Sequence, residues 1–581
     1  MDYYDTLGKG DFMHLRIGKS NNRTYLSIVH GYRDKETGKV RSKVIKSLGY
    51  LDDLGRQFPD PVAHFKEVVA EMNKEEALSK SPASVTFDRD ERLEHGQGNR
   101  INIGYATLSK FYHDLSLHTF FNNRSRQWNL EYNVNSIIRL LTFSRILCPA
   151  SKLKTFEQRG MYYEKMNFAL HDVYRCLSKV ITLKKDLMIH LNGQMKTLYG
   201  RSPEIVYYDV TNFYFEIDEQ DEIRKKGVSK EHRPDPIIQM GLLTDSSGIP
   251  ITFDTFAGNT NDCETYTPVF KKIRKDFDLG RIIVVADKGM NTGNNIAYCI
   301  LSGNGYVFSQ TVRGGHKELK DYVLDESGYR SMEGGFKIKS RLYPRLIYVT
   351  DINGKKRQVR LDEKQVAFYS PDYDKRAKKE RAAAVAKAQD LVADPSKYKR
   401  ATSYGAAKYV KNLVFDEKTG EILDSKQKPI FDETKLMEEE KFDGYYAIVT
   451  SEWKESDEKI LDIYRGLWQI EEAFRVCKGD LEARPVYLSR FERIEAHFMI
   501  CFLALVIARL LARFLGNEFS VGRIAESLEK SSGSHMGQNW YVFDHADEVT
   551  DALLAKMGID LGKKYMSLGD IRQLIGDSKK G

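Results

Sequence analysis

Cysteine is scarce: six in 581 residues (Cys148, Cys176, Cys263, Cys299, Cys477 and Cys501), with no two close in sequence. That scatter excludes a disulfide framework and the paired thiolates of a structural zinc site, and it suits a reducing compartment. The N-terminus, Met1-Asp2-Tyr3-Tyr4-Asp5, has neither a basic start nor an apolar run, so no secretory signal is expected. Long apolar runs are almost missing as well. Only Ala496–Leu515 reaches the length of a bilayer span, about 20 residues, and it carries His497, Arg509 and Arg513. A lone stretch with three such residues reads as a buried core helix, and no membrane association is expected. Excess charge of one sign is absent too, since 90 basic and 82 acidic residues leave a net +8. That balance excludes a uniformly basic nucleic-acid binder, so any such contact must come from local patches. With 41% hydrophobic and 30% charged residues the chain is not disordered, and its length calls for several domains.

Two patches stand out. Residues 11–50 alternate like strands (Leu15, Ile17; Tyr25, Ser27, Val29; Val40, Val44), separated by turn chemistry at 18–22 and 34–38. Nine basic residues, Arg41 and Lys43 among them, face three acidic ones there, so a basic three-stranded unit is expected that either grips DNA phosphates or is simply solvated. A second run between Lys375 and Arg400 also has nine basic residues against three acidic ones, and reads as a helical arm contacting phosphate through Lys375, Arg376, Lys378 and Lys379.

Two aspartates sit where carboxylates are costly. Ile205–Phe215 is β-branched and aromatic, a buried strand that nevertheless contains Asp209. Strands follow at Ile237–Leu243 and Ile251–Ala257, then a helix over Glu264–Phe277, then Arg281–Ala286 ending in Asp287 before Lys288-Gly289. A strand-end Asp alone is commonly a cap or a turn residue. The order strand, strand, strand, helix, strand, with acids on the first and fourth strands, resembles a ribonuclease H-like fold.

Farther along, Tyr464–Lys478 has no proline and one glycine near its start. Ile463, Leu467, Ile470, Phe474 and Cys477 form an apolar stripe at helical spacing, with Tyr464, Glu471 and Lys478 seven apart along its edge. The spacing resembles the Tyr-Arg-Glu-Lys signature of DDE transposases of insertion-sequence family four, and the Trp468–Arg475 wording is similar to its long-chain subgroup. The family arginine falls on Leu467, which leaves Arg465 and Arg475 as substitutes.

The resemblance implies a triad of Asp209, Asp287 and Glu471 binding two Mg²⁺ or Mn²⁺ ions, an all-oxygen set suited to hard cations. It implies hydrolysis at transposon ends followed by attack of the 3′-OH on target DNA, with Tyr464, Arg465, Arg475 and Lys478 on phosphates. The partners implied are double-stranded DNA (terminal inverted repeats and target) and a second copy of the chain in a homodimer. The location implied is cytoplasmic, on the nucleoid. The competing readings are a metal-dependent nuclease without strand transfer and a catalytically retired DNA-binding protein. The expected fold is α/β: a ribonuclease H-like mixed sheet interrupted by a mainly β insertion. The expected division is a basic β unit (1–60), helix and linker (61–100), helical domain (101–200), core (201–311), insertion (312–451), core with the Glu helix (452–515) and a tail (516–581).

Overall fold

The computed structural model describes residues 12–20, 23–33, 40–79, 85, 86, 90, 92, 98–201, 203–231, 233–277, 280–351, 353–394, 405–415, 422, 423 and 428–580. The chain divides into two compact units, one of residues 1–114, 160–165 and 526–581, the other of residues 115–159 and 166–525.

The larger unit begins with helices. In α1 (Val134–Leu147) the Asn133 side chain accepts from the Ser136 amide, and all but two of its residues are buried. Cys148-Pro149 follows, and Pro149 has no amide proton to continue the helix. Ser151 then caps the short α2 (Lys152–Glu157) by accepting from the Lys154 amide.

A nine-stranded mixed sheet fills the middle of this unit. Its strands are β1 (Ile205–Tyr214), β2 (Ile237–Asp245), β3 (Pro250–Ala257), β4 (Ile283–Ala286), β5 (Gly305–Gln310), β6 (Arg330–Ser331), β7 (Lys337–Thr350), β8 (Lys356–Tyr369) and β9 (Tyr445–Thr450). They lie in the order β6-β7-β8-β9-β5-β4-β1-β2-β3. The first three strands are antiparallel neighbours, while β1, β4 and β5 run parallel. Parallel neighbours need a crossover, and α3 (Asp262–Asp276) supplies one, packing Tyr266, Val269, Phe270 and Ile273 into the sheet core.

The stretch after Val312 does not build a separate β domain. Among the described residues its separate strand pairs are short, Val410–Lys411 with Ile430–Phe431 and Val414–Phe415 with Ile422–Leu423. Its long strands extend the central sheet instead, because β5 leaves an edge of unpaired amides and carbonyls that β9 covers, and β8 and β7 follow. The same segment carries α4 (Pro371–Ala393), whose N-terminus is capped by the Ser370 hydroxyl.

Tyr464–Lys478 is two helices, not one: α5 (Asp457–Arg465) and α6 (Trp468–Lys478). The chain tightens at Gly466-Leu467, where the Leu467 amide bonds the Tyr464 carbonyl at 3.0 Å. Tyr207 of β1 reaches over this point and donates its hydroxyl to the Ile463 carbonyl at 3.1 Å. Only glycine fits beneath it, since a Cβ on Gly466 would lie 1.9 Å from the Tyr207 oxygen.

Helix α7 (Phe491–Phe514) is long and apolar enough to cross a membrane, yet nearly all of it is buried within the unit. Phe498 packs against Phe213 of β1 with ring centroids 4.9 Å apart and Phe502 against Phe253 of β3 at 5.3 Å, both tilted, so its apolar surface covers the sheet.

In the smaller unit, strands Phe12–Ser20, Arg23–Arg33 and Val40–Tyr50 form an antiparallel sheet, and helix Pro61–Ser79 closes a core of Leu15, Leu26, Ile28, Leu54 and Val69. A four-stranded sheet joins Arg100–Asn102 to Ser532–Gly537, Trp540–Phe543 and Tyr565–Ser567. The buried Asn102 amide ties the two segments by donating to the Leu528 and Glu529 carbonyls at 2.7 and 2.9 Å.

Candidate active site

Parallel pairing of β1 and β4 sets Tyr207 opposite Val285, so Asp209 and Asp287 each come two residues later on neighbouring strands. β4 ends at Ala286, and Asp287 is exposed at its tip. On the next strand, the Ser309 hydroxyl donates to Asp287 Oδ1 at 2.8 Å. Tyr464 in turn hydrogen-bonds Ser309, and burial beside Asp287 pushes its phenol well up. A chain Tyr464–Ser309–Asp287 thus fixes one carboxylate from the end of α5.

Asp209 is in a different state. Burial pushes its carboxyl up to about 6, Lys230 and the Val210 amide pull against that, and Asp287 and Asp262 add repulsion. Glu471, in the first turn of α6, is raised by partial desolvation and by Asp287, with Arg376 opposing. Asp287 therefore feels both other carboxylates. Glu472 belongs elsewhere: it takes Arg475 Nε and Nη2 at 2.7 Å each, which hold its carboxyl below the usual range.

Two lysines flank Asp209. Lys478 lies 3.0 Å from Glu231, and burial together with Lys230 lowers it to about 8, Asp209 opposing. Lys230 donates to the Val210 carbonyl and stands 3.9 Å from Asp262. Arg484 also pairs with Glu231. Lys230, Glu231, Asp262 and Ser309 were not legible as site residues. Lys230 and Glu231 fall in an irregular stretch with no period, and Ser309 is one small polar residue in a buried strand.

The remaining expected contacts separate. Arg465 is half exposed, 3.6 Å from Asp462 and stacked over Phe336 at 5.0 Å. Arg475 is committed to Glu472, away from Asp287, and Leu467 is buried. On α4, Lys375, Arg376 and Lys379 are exposed, and Lys378 pairs with Asp374 at 2.8 Å. Arg376 is the one coupled to Glu471. Lys397, Lys399 and Arg400 lie outside the described residues. Arg41 and Lys43 are exposed on strand Val40–Tyr50 of the other unit.

The carboxylates provide only oxygen donors, and the burial that raises Asp209, with the added repulsion from Asp287 and Asp262, is a cost that a hard divalent cation would relieve. The donor chemistry fits Mg²⁺ or Mn²⁺. The grouping is open, since among the described residues no three His, Cys, Asp or Glu side chains form a cluster that could hold a metal ion. Asp209, Asp287 and Glu471 are neighbours, but they do not converge as a closed ligand set.

Comparison with known proteins gives the family. The transposase DDE domain matches residues 202–507, more than half of the chain, and the N-terminal domain of the IS1634 family transposases matches residues 15–82. No curated protein matches the chain. Among solved structures, a piggyBac transposase synaptic complex with hairpin DNA is 8% identical, with 69% of this chain and 80% of that one covered at a TM-score of 0.31. A Mos1 transposase paired-end complex with the left transposon end is 10% identical, covering 44% and 70% at a TM-score of 0.14. Both overlays are too loose to bear on the fold. The match spans β1 through most of α7, including Asp209, Asp287 and α6, and on it the chain belongs to the DDE transposases, with an N-terminal segment of the IS1634 type.

Proposed function

We propose that this enzyme cuts at the ends of an insertion sequence and joins the freed 3′-OH to target DNA, through a ribonuclease H-like core. The observation that carries this reading is the placement of Asp209 on β1 and of Asp287 just past the tip of the parallel neighbour β4, with Glu471 coupled to Asp287. The sheet order β3-β2-β1-β4-β5 supports the fold assignment. Asp209, Asp287 and Glu471 would hold two Mg²⁺ or Mn²⁺ ions, which when bound acidify the attacking hydroxyl and take up charge on the leaving oxygen.

The side chains around them divide the remaining work. Ser309 and Tyr464 keep Asp287 oriented. Lys478 and Lys230 place positive charge beside Asp209, where a scissile phosphate would lie. Arg376 brings charge from the inserted segment, and Arg41 and Lys43 belong to a separate basic unit that would grip flanking duplex. Insertion-sequence family four, in its long-chain subgroup, is the group to which we assign the chain. We take the working form to be a homodimer on paired ends, in the cytoplasm on the nucleoid, in keeping with six free cysteines.

Changing Asp287 to Ala should abolish Mg²⁺-dependent cleavage of end DNA and leave end binding within about threefold. Cleavage near the parent rate would remove Asp287 from the site. A parent that cleaves but forms no joined product would make the chain a nuclease without strand transfer.

A further inference from the structure

Beyond α6 the chain turns through residues 481–488 and meets α1 and α2 at a cleft of about 530 Å³. Its lining holds three basic side chains, Arg145, Lys152 and Arg484, beside the neutral His497, against one carboxylate, that of the exposed Glu482. Arg145 is only 5% exposed. Its terminal nitrogens donate to the carbonyls of Ala150 at 2.9 Å, Glu482 at 3.2 Å and Leu481 at 3.4 Å, and its Nε has no partner. The whole guanidinium charge is thus spent on neutral backbone.

Lys152 is 6% exposed, and its ammonium donates to His497 Nδ1 at 3.1 Å. His497 donates from Nε2 to the Ala483 carbonyl at 3.0 Å, which fixes the neutral tautomer and leaves Nδ1 as an acceptor. Burial and the neighbouring Arg145 lower Lys152 to about 7, and among the described residues no carboxylate opposes them. Two buried cations side by side without a counter-charge are costly for a fold to keep. An anion supplied from outside is the missing partner.

We propose that this cleft is a phosphate subsite that receives a DNA backbone phosphodiester, with Lys152 at its floor and Arg145 behind it. The proposal rests on the functional reading above. Continuity with the candidate active site favours a strand over a free ion: Arg484 lines the cleft and pairs with Glu231, which also holds Lys478 beside Asp209. A strand centred on Asp209 would meet the cleft as its next anchoring point. The mouth suits a sugar-phosphate chain, for Tyr487 and Leu153 expose aromatic and aliphatic surface there.

The test uses the full chain and a duplex copied from the DNA flanking its reading frame, with binding measured over a salt series. Lys152→Met should weaken binding about tenfold and make the log–log salt slope shallower by about 0.9, the loss of one phosphate contact. Tyr487→Glu, at an exposed position that leaves the buried pair intact, should weaken binding similarly by repelling the same phosphate. Neutral methylphosphonates placed one at a time along the duplex should reveal a position that weakens the parent but not the Lys152→Met chain. Unchanged slope and methylphosphonate profile in both variants would overturn the subsite. If inorganic phosphate raises the parent's Tm while no methylphosphonate position couples to Lys152, the cleft holds a free anion and the DNA assignment fails. A parent that binds no end DNA at all would instead sink the functional reading, and the subsite with it.

Discussion

Glu471 and Glu472 are adjacent, yet they meet different charges. Glu471 faces Asp287 and Arg376, whereas Glu472 is bound by Arg475 and feels Arg509. Glu471→Gln should therefore lower end cleavage by several orders of magnitude. Glu472→Gln should cost no more than a partly exposed ion pair, below about 1 kcal/mol. Both are checked by cleavage in Mg²⁺ with binding measured in parallel, and a dead Glu472→Gln beside an active Glu471→Gln would move the site by one residue. Asp209 offers a test through stability. Its folded pKa of about 6 lies above the ordinary 3.8, so the ionised carboxylate destabilises the fold above pH 6. That penalty fades as pH falls through 6 and is gone below about 4, where folded and unfolded chains both hold the proton. In EDTA at pH 7.5, Asp209→Asn should raise stability by roughly 1–3 kcal/mol, an amount limited by partial solvent access. Chemical denaturation at pH 7.5 and pH 4 measures it. An Asn chain less stable at pH 7.5 would mean that the carboxylate is compensated where it sits.

Among the elements, the joint between α5 and α6 decides where the third carboxylate points. A single straight helix would carry Tyr464, Glu471 and Lys478 along one edge. With the break at Gly466, Tyr464 reaches Ser309 beside Asp287 and Lys478 reaches Glu231 beside Asp209. Gly466→Ala drives a methyl into the Tyr207 hydroxyl, 1.9 Å away, and should cost about 1–3 kcal/mol of stability along with most of the cleavage activity. Tm and cleavage of Gly466→Ala, compared with the Gly466→Ala/Tyr207→Phe pair, separate the cause. If removing the hydroxyl recovers nothing, the clash is not what hurts. The inserted segment acts at this scale too, because α4 begins near α5 and couples its Arg376 to Glu471.

At the level of the whole molecule, near-neutral net charge leaves DNA affinity to local patches. About eight neutralised phosphates would give a log–log salt slope near −7. Removing residues 1–50 takes away Arg41, Lys43 and their basic neighbours, and should reduce both affinity and slope. Filter binding of full-length and shortened chains over 50–300 mM salt checks this. An unchanged slope would make the N-terminal charges solvated surface only.

Local chemistry determined much of this protein. An Asp inside an apolar strand, a second at a strand tip and a Glu on an amphipathic stripe were legible because each breaks or borders a short-range pattern that sequence spacing reveals. So was the apolar 496–515 run as a core helix, whose Phe498 and Phe502 do cover the sheet. What the sequence left open depends on contacts between distant segments. Glycine is needed at 466 because Tyr207, more than 250 residues earlier, occupies the space that a Cβ would take. The 312–451 segment joins the central sheet because β5 has an edge to cover, which no period within that segment records. Arg100–Asn102 is three residues long, too short to show alternation, and becomes a strand only against Ser532–Gly537. Lys230, Glu231 and Ser309 acquire roles only when tertiary packing sets them beside Asp209 and Asp287, since charge and hydroxyl groups carry no signal of their neighbours until the chain has folded.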